Sequence, residues 1–205
     1  MKRKIGIMGG TFDPIHNGHL MLGEEAYRQF ALDLVVFMPT GNPPHKRKQQ
    51  IADAVYRKEM VEAAVADCPY FFCSEMELKR QGMTYTADTL TQLRGEQPET
   101  EFYYIVGADS LEQMDSWYHP EIIFEQAIIL AAMRETQTME EVSVAIKRLE
   151  EKYHACIFPL RGPLMPVSSS EIRRKIRAGE SVKPYLPEAV WRYIREKNLY
   201  GGGVG

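Results

Sequence analysis

Cysteine is scarce in this chain. Three occur among 205 residues, Cys68, Cys73 and Cys156. They are odd in number and lie in or beside apolar stretches, so a disulfide framework is not expected and free, buried thiols in a reducing compartment are. Long apolar runs are missing as well. The longest, such as Ala127 to Met133, fall well short of the roughly 20 residues that a bilayer-spanning helix needs, and the opening stretch MKRKIGIMGG has no signal-peptide hydrophobic region. The expectation is a cytoplasmic protein without membrane contact. Nor is there a surplus of positive charge: 25 Lys and Arg against 28 Asp and Glu leave a formal charge of −3, which speaks against a generally basic nucleic-acid-binding surface. Two local basic clusters remain, Lys46-Arg47-Lys48 and Arg173-Arg174-Lys175, each suited to a small polyanion.

What is present suits a single domain of α/β class. The 44% of hydrophobic residues suffice for a core, and short apolar runs alternate with longer amphipathic stretches, as in a doubly wound parallel sheet covered by helices. Strands are expected at Lys4–Met8, Leu34–Met38, Tyr70–Cys73, Glu101–Val106, Ala127–Ala132 and Ala155–Phe158. Helices are expected from Gly18 to Phe30, with Leu20, Leu22, Ala26 and Phe30 inward, from Asp53 to Ala66, and from a Thr86 N-cap to Arg94. A charged surface helix follows over Met139–Lys152. After Pro166 the strand pattern stops, and two short helices, Ser169–Ala178 and Pro187–Lys197, read as a small helical subdomain (166–200) on a core of residues 1–165. Residues 201–205, GGGVG, read as a flexible tail.

Motif residues collect where the strands end, the rim at which parallel sheets of this kind bind ligands. The first strand runs into GGTFDPIHNGH, residues 9–19. Gly9 and Gly10 let the backbone approach a ligand closely, and the helix starting near Gly18 presents unpaired N–H groups to an anion. The spacing matches neither the dinucleotide fingerprint nor the P-loop. His16 and His19, three residues apart, are placed to face one pocket and to donate hydrogen bonds to phosphate oxygens; a turn cap and a packed ring are the plainer alternative. No third ligand stands near them to make a metal site. Near the other end, VSSSEIRRKI puts Ser168, Ser169 and Ser170 at a helix start with Arg173 one turn inside, either an ordinary cap or a second anion site.

The segment GGTFDPIHNGH resembles the (T/H)xGH signature of the nucleotidyltransferase superfamily, and Val167-Ser168-Ser169-Ser170 with Arg173 is similar to the ISSTxxR element of the same proteins. Asn42-Pro43-Pro44-His45-Lys46 after the second strand and GADSLEQMDSWY, residues 107–118, after the fourth complete an order that resembles the bacterial nicotinate-mononucleotide adenylyltransferase family over nearly the whole chain. The resemblance implies a Rossmann-like fold, ATP and nicotinate mononucleotide as substrates, release of pyrophosphate, and Mg²⁺ bridging triphosphate oxygens without a dedicated protein ligand. It also allows a homodimer. The same chemistry on another acceptor, as in pantetheine-phosphate adenylyltransferase or a cytidylyltransferase, is the nearest alternative, and a nucleotide- or nucleic-acid-binding module without turnover is a distant one.

By the same resemblance His16, His19 and Arg173 are the catalytic set. Gly9, Gly10, Thr11, Gly18, Lys46, Ser168 and Ser169 bind ATP and its phosphates. Gly107, Asp109 and Arg134 meet the ribose or adenine, with a cap on the helix starting at Ser110 as the alternative for Asp109. Thr86 and Tyr118 offer backbone N–H groups to the nicotinate carboxylate, which favours acid over amide because an amide NH₂ would leave them unpaired. Trp117, in a polar loop, stacks its indole on the pyridinium ring; a scaffold tryptophan is the alternative.

Overall fold

Six parallel strands make one sheet in the computed structural model, which describes residues 2–42, 51–132, 139–162, 165 and 167–201. In chain order these are β1 (Arg3–Gly10), β2 (Leu34–Pro39), β3 (Phe71–Cys73), β4 (Thr100–Gly107), β5 (Ile128–Ala132) and β6 (Ile157–Leu160), and their spatial order is β3-β2-β1-β4-β5-β6. The central strands are buried on both faces, which is why IGIM and FYYIV read as continuous apolar runs rather than alternating ones. Register fixes the middle of the sheet: Ile7 of β1 lies opposite Val36 of β2 and Tyr104 of β4. Strand order reverses between β1 and β4, so the crevice beyond their carboxyl ends is the ligand-binding position of this topology.

The helices are α1 (Asn17–Phe30), α2 (Ala54–Val65), α3 (Met76–Lys79), α4 (Thr86–Glu96), α5 (Ala108–Gln113), α6 (Pro120–Gln126), α7 (Met139–Tyr153), α8 (Ser169–Arg177) and α9 (Glu188–Glu196). On one face of the sheet Leu90 of α4, Leu111 of α5, Ile123 of α6 and Leu149 of α7 pack on Ile7, Phe102, Tyr104 and Ile129. On the other, Ala26 of α1, Met60 and Val61 of α2, Ile172 of α8 and Val190 and Ile194 of α9 pack with Val35, Phe37, Ile105 and Leu130. Each fully buried side chain of this size contributes about 1.5–3 kcal/mol. Along α1, Ala26 is fully buried, Leu20, Leu22 and Phe30 face this second cluster only partly buried, and Gly23 lies tight against Phe37.

Several local expectations shift. Strand β6 starts two residues beyond the expected Ala155, and Thr86 is the first residue of α4, whose N-cap is Tyr85. The short helices α3 and α6 do not show in the apolar periodicity; α6 opens on Pro120 after a left-handed His119, a turn that the WYHP segment makes in place of a loop. The cysteines are free but not all buried: Cys68 and Cys73 are half-buried and Cys156 is exposed. Among the described residues no helix is long and apolar enough to cross a membrane.

Candidate active site

The site is built on the end of β1. A Cβ at Gly9 would stand 2.7 Å from the Tyr104 hydroxyl of the neighbouring strand, so only glycine lets the chain leave the sheet here. The loop then crosses Thr11 to Ile15, through a cis Asp13–Pro14 peptide, and enters α1 with His16 as an extended N-cap. The His16 backbone N–H donates to Nδ1 of His19 at 3.2 Å. A ring nitrogen that accepts an N–H carries no proton itself, so the neutral His19 ring bears its hydrogen on Nε2. The two rings stack with centroids 3.7 Å apart. Gly18 permits that stack, since a Cβ there would lie 3.0 Å from Nδ1 of His16.

The histidines are therefore together but not equivalent. His19 lines the crevice, with its ring edge-on to Phe12 at 5.1 Å. His16 stands behind it, only 6% exposed, and burial pulls its pKa down to about 4, so the ring is neutral at pH 7.

Helix α8 arrives from the far end of the chain and docks its first turn on the same loop. Ser168 caps it by accepting from the Glu171 N–H at 3.2 Å, Ser169 donates its hydroxyl to the Pro14 carbonyl at 2.9 Å, and Arg173 donates to the Asp13 carbonyl at 2.6 Å. Two helix N-termini, those of α1 and α8, thus share one loop, and the partial positive charge of each favours an anion there. Between them and the opposite wall lies a cleft of about 360 Å³ that Gly9, Gly10, Thr11, His19, Ser169 and Arg173 line on the glycine side.

Thr84, Thr86, Trp117 and Tyr118 line the facing wall. The half-buried indole of Trp117 is held edge-on by Tyr104, centroids 6.3 Å apart, and the rings of Tyr85 and Tyr118 meet at 4.3 Å. Thr86, in the first turn of α4, has its hydroxyl 3.3 Å from that of Tyr104.

Other expected residues fall elsewhere. Ser168 is exposed at its cap, and Gly107 and Asp109 are exposed at the end of β4 and the start of α5, where Ser110 lines the cleft instead. Lys46 and Arg134 lie outside the described residues. A larger groove of about 470 Å³ runs beside Leu20, Cys68 and Tyr70, but its ionisable neighbours include Glu24, Glu25 and Asp67, the wrong sign for a polyphosphate.

Three residues of the site escaped the sequence reading. Arg57 of α2 is buried and directs its guanidinium to the carbonyls of Thr11, Thr40, Gly41 and Ala52, tying the ends of β1 and β2 together. Its signal was available: Arg57 sits three and four residues before the core positions Met60 and Val61, on the inward face of the helix. Glu77 lines the cleft with a carboxyl that burial pushes up in pKa and that accepts from Thr89 at 2.9 Å. Tyr200 reaches the Asp13 carboxylate across the whole chain, which no local pattern announces.

Residues 7–175 match the family model described as Cytidylyltransferase-like. The chain is 45% identical over 198 residues to a Lachnoclostridium phytofermentans protein named "Probable nicotinate-nucleotide adenylyltransferase", covering 97% of this chain and 99% of that one. A Clostridium tetani protein of the same name is 40% identical over 200 residues, with 98% and 100% covered. Among solved structures, Plasmodium falciparum nicotinic acid mononucleotide adenylyltransferase complexed with NaAD superposes with a TM-score of 0.81 at 19% identity, over 99% of this chain and 100% of that one. At that identity the likeness concerns the fold, and it agrees with the sheet order found here. Matched over nearly its full length at this level of identity, the chain belongs to the nicotinate-nucleotide adenylyltransferase family.

Proposed function

We infer that the chain transfers the adenylyl group of ATP to nicotinate mononucleotide, giving nicotinate adenine dinucleotide and pyrophosphate. The observation that carries this reading is one cleft with a polyphosphate cradle on one wall and an aromatic wall opposite, in a chain 45% identical to a relative named for that reaction. Gly9 to Thr11 admit the triphosphate to the backbone, and the N-termini of α1 and α8 face its charge. His19 donates from Nε2, neutral His16 backs that ring, and Arg173, with the α8 N-terminus that Ser169 anchors, holds the β- and γ-phosphates. On the facing wall Trp117 stacks on the pyridinium ring, while the backbone N–H groups of Thr86 and Tyr118 donate to the nicotinate carboxylate.

The acceptor phosphate is already an anion near neutral pH, so no side chain has to deprotonate it. Its oxygen attacks the α-phosphorus in line, a P–O bond forms, the bond from the α-phosphorus to the bridging oxygen breaks, and pyrophosphate leaves with that electron pair. Catalysis is then positioning and stabilisation of the charge that grows on the leaving group. Among the described residues no group of three or more His, Cys, Asp or Glu side chains converges. A Mg²⁺ brought in with the nucleotide would need no protein ligand of its own. When bound, the ion neutralises phosphate charge.

The test is pyrophosphate release from ATP with nicotinate mononucleotide, nicotinamide mononucleotide and phosphopantetheine at matched concentrations. Fastest release with the first supports the reading; release with phosphopantetheine alone, or with none of the three, overturns it.

A further inference from the structure

Asp13 is 2% exposed, and its carboxylate has few partners. Oδ1 accepts from the Tyr200 hydroxyl at 2.6 Å and from the Ala52 N–H at 3.3 Å. Oδ2 is buried without a hydrogen bond among the described residues, and the Nη1 of Arg173 stands 3.5 Å from it. A second guanidinium nearby, that of the buried Arg57, is committed to backbone carbonyls. A buried carboxylate left short of hydrogen bonds draws whatever donor it can reach, and the donor within reach is the arginine that the cleft uses.

The chain end is shaped to supply a competing donor. Asn198, Tyr200 and Gly201 all take left-handed backbone angles, φ 50°, 61° and 80°, and the first two carry a Cβ that disfavours that region. This reversal brings the phenol back to a residue 187 positions earlier. Burial and the Asp13 charge both push the phenol's pKa upward, which keeps it a donor at every working pH.

We propose that Tyr200 is a positioning residue for the phosphate cradle: by satisfying Oδ1 of Asp13 it limits the pull of that carboxylate on Arg173 and leaves the guanidinium available to the triphosphate. The inference rests on the reading of Arg173 as a phosphate ligand given above. Asp13 in this account is the internal anion that ATP must displace, and the Tyr200 hydroxyl sets how tightly it holds.

The variant Tyr200→Phe keeps the ring and removes only the hydroxyl. Loss of one hydrogen bond of ordinary strength corresponds to about fivefold, so the KM for ATP rises about that much while the KM for nicotinate mononucleotide stays within twofold. In an Asp13→Asn background the same change leaves the KM for ATP unmoved, because no carboxylate remains to trap Arg173. Arg173→Ala is the second background, in which the effect of the hydroxyl must also vanish, and serves where Asp13→Asn does not fold. Titration calorimetry of ATP alone on the same proteins gives the parallel comparison without any acceptor, so a wrong acceptor assignment leaves this test intact. An unchanged affinity for ATP in Tyr200→Phe, an equal rise in both KM values, or a fivefold effect that survives in either background would overturn the proposal.

Discussion

The stacked histidine pair makes a quantitative prediction about pH. His16 takes up a proton near pH 6.5 when unfolded but only near pH 4 inside the protein, because burial disfavours the imidazolium. Since the folded value is the lower, the unfolded chain binds more protons as pH falls, and stability present above pH 6.5 is lost on the way down to pH 4. At roughly 1.4 kcal/mol per factor of ten, the whole loss is about 3 kcal/mol, of which about 2 kcal/mol falls between pH 7.5 and pH 5. Other groups titrate too. Glu77, whose carboxyl burial pushes up, works in the opposite direction, gaining relative stability as pH falls. A comparison with His16→Asn cancels such terms because both proteins keep them. Urea unfolding followed by circular dichroism at pH 7.5 and pH 5 should show the parent losing about 2 kcal/mol more than the variant. Equal losses in the two proteins would refute the claim that His16 is held neutral by burial, and with it the view that a neutral ring backs His19 in the cradle.

Three further outcomes follow from the same geometry. Replacing His19 by alanine removes a donor aimed at the leaving phosphates and should lower kcat by about 10²- to 10³-fold, with the melting temperature within a few degrees of the parent; steady-state kinetics and thermal melts check both. Trp117→Ala should raise the KM for nicotinate mononucleotide by about tenfold, in line with stacking worth roughly 1–3 kcal/mol, while the KM for ATP stays put. Gly9→Ala drives a methyl group to 2.7 Å from the Tyr104 hydroxyl and should cost about 1–3 kcal/mol in denaturant unfolding, and a variant as stable as the parent would contradict the packing described at the end of β1.

Most of the sheet was legible because strands buried on both faces write themselves as unbroken apolar runs, and β1, β2 and β4 do so. Helix α3, with four residues, and α6, with seven, carry too few turns for a period of 3.6 to register. At the site, the residues that face one another across short sequence distances were found: the His16–His19 pair, and Ser169 with Arg173 one turn on. The ordering of that pair was not, since it is set by the surrounding fold, in which Phe12 meets His19 edge-on and Gly18 lies against His16. Asp109 illustrates a residue type with two readings: a carboxylate in the first turn of α5 suits both a ribose and the helix N-terminus, and it stands exposed beside Ser110, which lines the cleft. Arg57 and Tyr200 act through contacts 46 and 187 residues away, distances at which only the assembled fold brings partners together.

A crystal structure with a non-hydrolysable ATP analogue would show where the polyphosphate sits. The triphosphate should lie against the backbone of Gly9 to Thr11, within hydrogen-bond reach of His19 Nε2 and the Arg173 guanidinium, with the Asp13 to Arg173 contact lengthened. A nucleotide seated in the acidic groove beside Tyr70, or phosphates pointing to solvent with neither His19 nor Arg173 in reach, would contradict that placement.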